Sequence, residues 1–310
     1  MKNLKGTFIL LLAAFIWGTA FVAQTSAGDN IGAFTFNACR NIIGALFLFI
    51  VIAILDMRKY SDRYDNPSEN NYNIYKKNYI INKKDYLTDA NKWPIKEGVI
   101  CGILLCIAMN LQQIGINTYP DGVAVSGRAG FLTATYVVIF VCIAGMYLLC
   151  IAGGINEIYV ADILELMCAV AFTIHMFTVD KYDKADGVKL SCIQFLTSGI
   201  LSGILMLIFD KADINSIMKA IIPILYAGVM SSGIAYTFQI IGQKYAKPSV
   251  TAIVLSLESV FAALAGWILL GEHLSTRELT GCILVFTAVI IAQIPQFAHN
   301  VDDSKQQVIE

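Results

Sequence analysis

Glu258 is the residue of this chain best placed to do chemistry. It sits in Pro248–Leu270, a stretch too apolar and too long to be anything but a membrane crossing. A carboxylate at mid-bilayer depth costs roughly 2.5 to 3.5 kcal/mol on insertion scales, so such a group is rarely accidental. An acid that takes up and releases a proton there can couple solute movement to a proton gradient. A helix-capping or structural role is the competing reading. A second acid, Glu272, follows about one membrane depth later and marks the helix end at the water boundary. His175 is the other coupling candidate, because an imidazole with an unperturbed pKa of about 6.5 can relay protons. A lone membrane histidine also serves as a hydrogen-bonded packing residue.

Other polar groups inside apolar runs are candidates for the wall of an aqueous cavity, where side chains replace the hydration of a solute. Asn110, Gln112 and Gln113 stand together in one run, and Tyr236 and Gln239 in another. Their alternative role is hydrogen bonding between helices, worth about 0.6 kcal/mol apiece. Trp17, Phe131, Tyr136 and Trp267 offer faces for an aromatic or cationic solute, or serve as packing and interface anchors. Arg40 lies about seven residues from the outer end of its run. It either snorkels to that surface or pairs with a carboxylate of the solute.

The elements that must position these groups follow from composition. The chain has 310 residues, 57% of them hydrophobic and 15% charged, against about 25% charged in soluble domains. Apolar runs long enough to cross a bilayer recur along it, which predicts an all-α polytopic membrane protein. We place spans at 7–25, 33–55, 97–118, 160–180, 190–209, 218–242, 248–270 and 276–296, with a long apolar stretch at 121–153. The net charge of −1 gives no argument for nucleic acid. The eight cysteines lie in or beside apolar runs without a CxxC pair, so they read as packing residues, with no disulfide or metal site. Lys2 and Lys5 precede an apolar run, which reads as a retained first helix and not a cleaved signal.

Residues 57–96 carry nine Lys or Arg among Asn, Tyr and Asp. They read as a disordered loop, and with Lys2 and Lys5 they put the N-terminus in the cytoplasm. Lys181, Lys184 and Lys189, then Lys244 and Lys247, continue the alternation with the C-terminal tail also inside. The pattern closes only if 121–153 crosses twice or not at all. Two crossings need about 40 residues, and the stretch offers 33. A single crossing would put the later lysines outside.

Ala108-Met109-Asn110-Leu111-Gln112-Gln113-Ile114-Gly115 is matched by Ala235-Tyr236-Thr237-Phe238-Gln239-Ile240-Ile241-Gly242, with Ala, Gln, Ile and Gly at equal offsets. This suggests two halves derived from one unit, and Gln112 and Gln239 as equivalent positions at a central site.

Leu257-Glu258-Ser259-Val260-Phe261 through Gly271-Glu272 resembles the signature near the end of EamA domains of the drug/metabolite transporter superfamily. Gly127-Arg128-Ala129-Gly130-Phe131-Leu132-Thr133-Ala134-Thr135-Tyr136 resembles their fourth helix, Trp17-Gly18-Thr19-Ala20-Phe21 their first, and Arg40 falls where the second often carries Arg. The resemblance implies a bundle of two inverted five-helix repeats with ten helices. It adds Arg128 as a cavity residue, in the same role as Arg40, alongside the aromatic face of Tyr136. Two departures stand out. Ser259 replaces the usual proline, and about 30 residues are missing near position 141, as if helices four and five were fused, giving nine or ten crossings.

The expected organisation is a first repeat over 1–153, including the 57–96 loop, a second over 160–297, and a cytoplasmic tail over 298–310. The expected function is a secondary-active carrier in a bacterial plasma membrane that exports small metabolites such as amino acids or drugs by alternating access. Its partners would be a small-molecule solute, the lipid bilayer and a proton as coupling ion, with no nucleic acid and no cofactor, and a homodimer left open. The carrier reading predicts no ATP use, and the sequence has no GxxxxGK[ST] loop. The alternatives are a degenerate, transport-inactive paralogue and, more remotely, an intramembrane enzyme. The enzyme reading lacks HExxH, and its histidines, His175, His273 and His299, are far apart in sequence.

Overall fold

The computed structural model describes residues 2–64, 93–120, 125, 159–182, 184–211, 213–243, 245, 251, 254–255, 257–272, 276, 279–280 and 283. Every element among them is helical. A segment in lipid must satisfy its backbone internally, and an α-helix does so within one run. Six helices are long and apolar enough to cross a bilayer. They are α1 (Lys2–Gly28), α2 (Ala33–Tyr64), α3 (Ile95–Thr118), α4 (Val160–Lys181), α5 (Gly187–Phe209) and α7 (Ile221–Gln243). A short α6 (Ile214–Lys219) joins α5 to α7, and a shorter apolar helix, α8 (Leu257–Leu270), follows. Large apolar side chains such as Phe177, Leu207 and Ile222 stand out from the bundle, as expected where the surrounding medium is acyl chain.

The helix ends sort into two levels. At one, Lys189 on the first turn of α5 pairs with Asp56 of α2 at 3.7 Å and covers the Trp93 ring. Gly6 of α1 packs on Gly242 and Tyr245 at the same level. At the other, Asp210, just past α5, accepts from both the backbone N–H and the hydroxyl of Thr35 at 2.8 Å, capping α2. Gly28 meets Asn117 there, and the Tyr119 hydroxyl donates to Asp162 Oδ1 at 2.7 Å. The residues on either side of the 121–158 stretch, Tyr119 and Tyr159, therefore lie at one end of the bundle, with their rings in edge contact. Lys211 and Lys219 also sit at this end, in the α5–α7 connection.

With lipid outside, helix association rests on close packing and interhelical hydrogen bonds. α2 is the hub. Ala45, Leu48 and Ile52 pack with Leu105 and Met109 of α3, Cys192 and Phe195 of α5, and Tyr236 of α7. Gly44 and Gly228 let α2 and α7 touch backbone to backbone: a Cβ on Gly228 would meet the Arg40 carbonyl at 2.9 Å. Gly199 lets α5 approach α2 in the same way, whereas Gly203 has room for a side chain.

α7 is not uniform. Its middle, Tyr226–Ala235, is wound as a π-helix between two α-helical ends, a geometry frequent at functional sites. The Ser231 carbonyl accepts the Tyr236 N–H, five residues on. α8 closes at Gly271, whose φ of 67° is open to glycine at little cost.

Two boundaries differ from the sequence expectation. α2 runs to Tyr64 and α3 begins at Ile95, so residues 57–64 and 95–96, read from sequence as loop, are helical. Hydropathy marks where lipid ends, and a helix can continue into water beyond it. Residues 65–92 of that loop lie outside the described set, as do most of 121–158 and of the span expected at 276–296.

Candidate functional site

Polar side chains from α1, α2, α3, α4, α7 and α8 converge on one cavity. Each helix contributes at helical spacing. α1 gives Trp17, Ala20 and Gln24; α4 gives Phe172, His175 and Met176; α7 gives Ser231, Tyr236 and Gln239. Residues three, four and seven apart share an α-helix face, and Ser231 and Tyr236, five apart, come to one face because α7 is π-wound there. Arg40, Gln112, Leu255 and Glu258 complete the wall. The cavity offers about 60 Å³ to the centres of water molecules, room for on the order of five waters or a small organic solute.

Tyr236 organises the aromatic side. Its ring meets Trp17 at 4.7 Å, Phe195 at 5.0 Å and His175 at 6.4 Å, all edge to face. The Trp17 indole N–H donates to the Ser231 carbonyl at 3.4 Å, so the π-wound segment holds both rings. His175 Nε2 lies 3.1 Å from Gln194 Oε1, which fixes the imidazole at the wall.

Arg40 is 3% exposed and lines the cavity instead of reaching the outer surface. Its Nη1 donates to Gln24 Oε1 at 3.2 Å, and its guanidinium lies over the Phe36 ring. Glu258 sits deeper. Its backbone carbonyl lies against Gly18 of α1, where a Cβ would meet it at 2.7 Å. From Gly18 to Gln24, the residue that meets Arg40, is roughly 9 Å of helix rise. The cavity thus carries a cation toward one level and an acid nearer mid-depth. No described residue hydrogen-bonds the Glu258 side chain. Among the described residues no group of three or more His, Cys, Asp or Glu could hold a metal.

Of the residues singled out in sequence, Trp17, Arg40, Gln112, His175, Tyr236, Gln239 and Glu258 come together here. Asn110 and Gln113 lie elsewhere. Asn110 accepts from Asn37 at 3.1 Å and donates to Ser202 at 2.9 Å and the Cys106 carbonyl at 2.8 Å, in a buried seam between α2, α3 and α5. Gln113 donates to the Gln24 carbonyl and to Asn117. Trp267 is exposed, and Glu272 donates its backbone N–H to Gly266 past the end of α8. Arg128, Phe131 and Tyr136 fall outside the described residues. Gln24, Phe172, Met176 and Ser231 were not singled out. Gln24 carried the same signal as Gln112, an amide inside an apolar run, and stands one α1 stripe along from Trp17.

A polytopic helical bundle whose buried polar groups surround a solute-sized cavity is the construction of a membrane transport protein. The EamA-like transporter family matches residues 4–69 and 159–293, and the chain belongs to that family. An uncharacterized transporter of Archaeoglobus fulgidus is 26% identical over 317 residues, covering 95% of this chain and 87% of its own. A second uncharacterized transporter of that organism is 21% identical over 138 residues, 44% of this chain and 49% of its own. A protein of known crystal structure superposes with a TM-score of 0.62 at 16% identity, covering 94% of this chain and 96% of its own, a likeness of fold alone. The protein is an integral membrane transporter.

Proposed function

We infer that the protein is a secondary-active carrier that exports small organic solutes, amino acids or drugs among them, across the plasma membrane by alternating access. The observation that carries this reading is the cavity itself. It is lined by polar side chains and large enough for a small solute, and it draws Arg40 and Gln112 from one half of the chain and His175, Gln239 and Glu258 from the other.

The packing supports two inverted repeats, 1–153 and 160–297. If α1, α2 and α3 correspond to α4, α5 and α7, exchange of the halves turns the α3–α4 contact into α7–α1 and the α3–α5 contact into α7–α2. All four are present, and α2–α5 maps onto itself. Gln112 lies six residues before the end of α3 at one level, and Gln239 four residues before the end of α7 at the other. An axis in the membrane plane relates positions in this way. The meeting of Tyr119 with Asp162 supports an even number of crossings between them, two or none, against the single crossing that a count of nine needs. Lys5, Lys181, Lys184 and Lys189 then share the cytoplasmic side with the N-terminus.

Glu258 is the proposed proton-coupling acid, with His175 beside the same cavity as a relay. Rocking would be eased by the glycine contacts of α7 with α2. The test is counterflow in liposomes holding the purified protein, over a panel of amino acids and drugs. Exchange of any member supports the carrier. Folded protein that exchanges none favours the transport-inactive paralogue.

A further inference from the structure

We propose that Arg40 anchors a carboxylate of the transported solute, so that the cavity selects small organic monocarboxylates; this rests on the carrier reading above. A buried cation is expensive unless a counter-charge meets it. Arg40 is 3% exposed, yet among the described residues its hydrogen-bond partner is one neutral oxygen, Gln24 Oε1. Its Nε is buried with no hydrogen-bond partner among the described residues. No Asp or Glu among the described residues forms an ion pair with it, whereas Lys189 at the bundle end has Asp56. Phe36 lies 5.5 Å below the guanidinium and steadies its plane.

A flat fork of N–H donors, fixed in position and short of acceptors, fits the two oxygens of a carboxylate. One guanidinium answers one negative charge. A second negative charge finds no further Lys or Arg among the described residues of the wall, which disfavours a dianion such as a phosphate monoester. The aromatic wall of Trp17, Phe172 and Tyr236 gives the rest of the solute an apolar surface. The carboxylate can belong to a plain organic acid or to a zwitterion, and the test separates the two.

The experiment compares isosteres in counterflow: phenylacetate against phenylacetamide, and phenylalanine against phenylalaninamide, with phenethylamine as a cationic control. Wild-type protein is expected to exchange an acid at least roughly tenfold better than its amide. Exchange of phenylalanine but not phenylacetate assigns the zwitterion, and exchange of both assigns the carboxylate alone; each upholds the site. R40Q is expected to erase the preference for acid over amide and R40K to keep part of it. Should R40Q fail to fold, the wild-type pairs decide. Exchange of amides or phenethylamine as readily as acids overturns the carboxylate site and leaves the carrier standing. So does an R40Q protein that still prefers acids. Exchange of no compound, across this set and the wider panel, overturns both.

Discussion

Two groups of buried polar side chains lie within one turn of each other on α2 and α3, and they behave differently. In the seam, Asn37, Asn41, Asn110, Ser198, Ser202 and Ser232 bond to one another and to backbone across α2, α3, α5 and α7. In the cavity, Arg40, Gln112, Gln239 and Glu258 face a shared space. Both groups have been taken out of water. The seam offsets most of that cost with protein partners, Asn37 Oδ1 being the exception among the described residues, and the cavity leaves part of it to water or a solute. A polar residue in a membrane helix is thus either glue or lining, and its partner decides which.

The largest expected effect falls on the cavity. E258Q keeps the shape of the side chain and removes the titrating group. Solute accumulation driven by an imposed pH gradient should fall to background in liposomes, while counterflow without a gradient continues. Accumulation at the wild-type level in E258Q would end the coupling role.

Next comes the seam. N110A removes one partner from Asn37 and one from Ser202 and leaves buried groups unsatisfied. Thermal unfolding in detergent should show a loss of about 1–3 kcal/mol. Counterflow per folded molecule should stay within a factor of two or so, since the seam touches no solute. A large flux defect without loss of stability would move Asn110 from glue to lining.

Q112A should do the reverse. Truncating a side chain that faces the cavity lets water take its place beside its partner, so the stability loss should be about 1 kcal/mol or less. Counterflow should drop several-fold, because a polar contact to a small solute is worth about 1 kcal/mol.

How much of this was legible beforehand follows from the same contrast. The helices were readable because lipid demands long apolar runs, and Glu258 because an acid in such a run is rare. Gln112 was readable through its match to Gln239. The separation of Asn110 and Gln113 from Gln112 is a matter of helical phase. Residues 110 and 113 are three apart and share a face, while 112 is turned about 100° from 113. Periodicity alone could have split them into two faces, but not told which face was wet. That depends on Asn37 and Ser202, 73 and 92 residues away in sequence. The π-wound centre of α7 left no mark in hydropathy, which reports how apolar a run is and not how it is wound. Phe172 and Met176 carry no chemistry that would single them out before their neighbours are known.

The smallest expected effect separates the two groups most cleanly. A double-mutant cycle on Asn37 and Asn110, which share a hydrogen bond, should give a coupling energy of about 0.6 kcal/mol, the mean for such pairs in a membrane. The same cycle on Asn110 and Gln112 should give a value indistinguishable from zero, within about 0.3–0.5 kcal/mol. Asn110 bonds to Asn37, Ser202 and Cys106, none of which lines the cavity that Gln112 faces, and the two residues point to different faces. Residues two apart in sequence would then be energetically independent, and residues on different helices coupled. A clear coupling between Asn110 and Gln112 would mean that the seam and the cavity move as one body. Solute binding would then have to reorder the packing of α2 against α3, and stability and transport could no longer be assigned to separate sets of side chains.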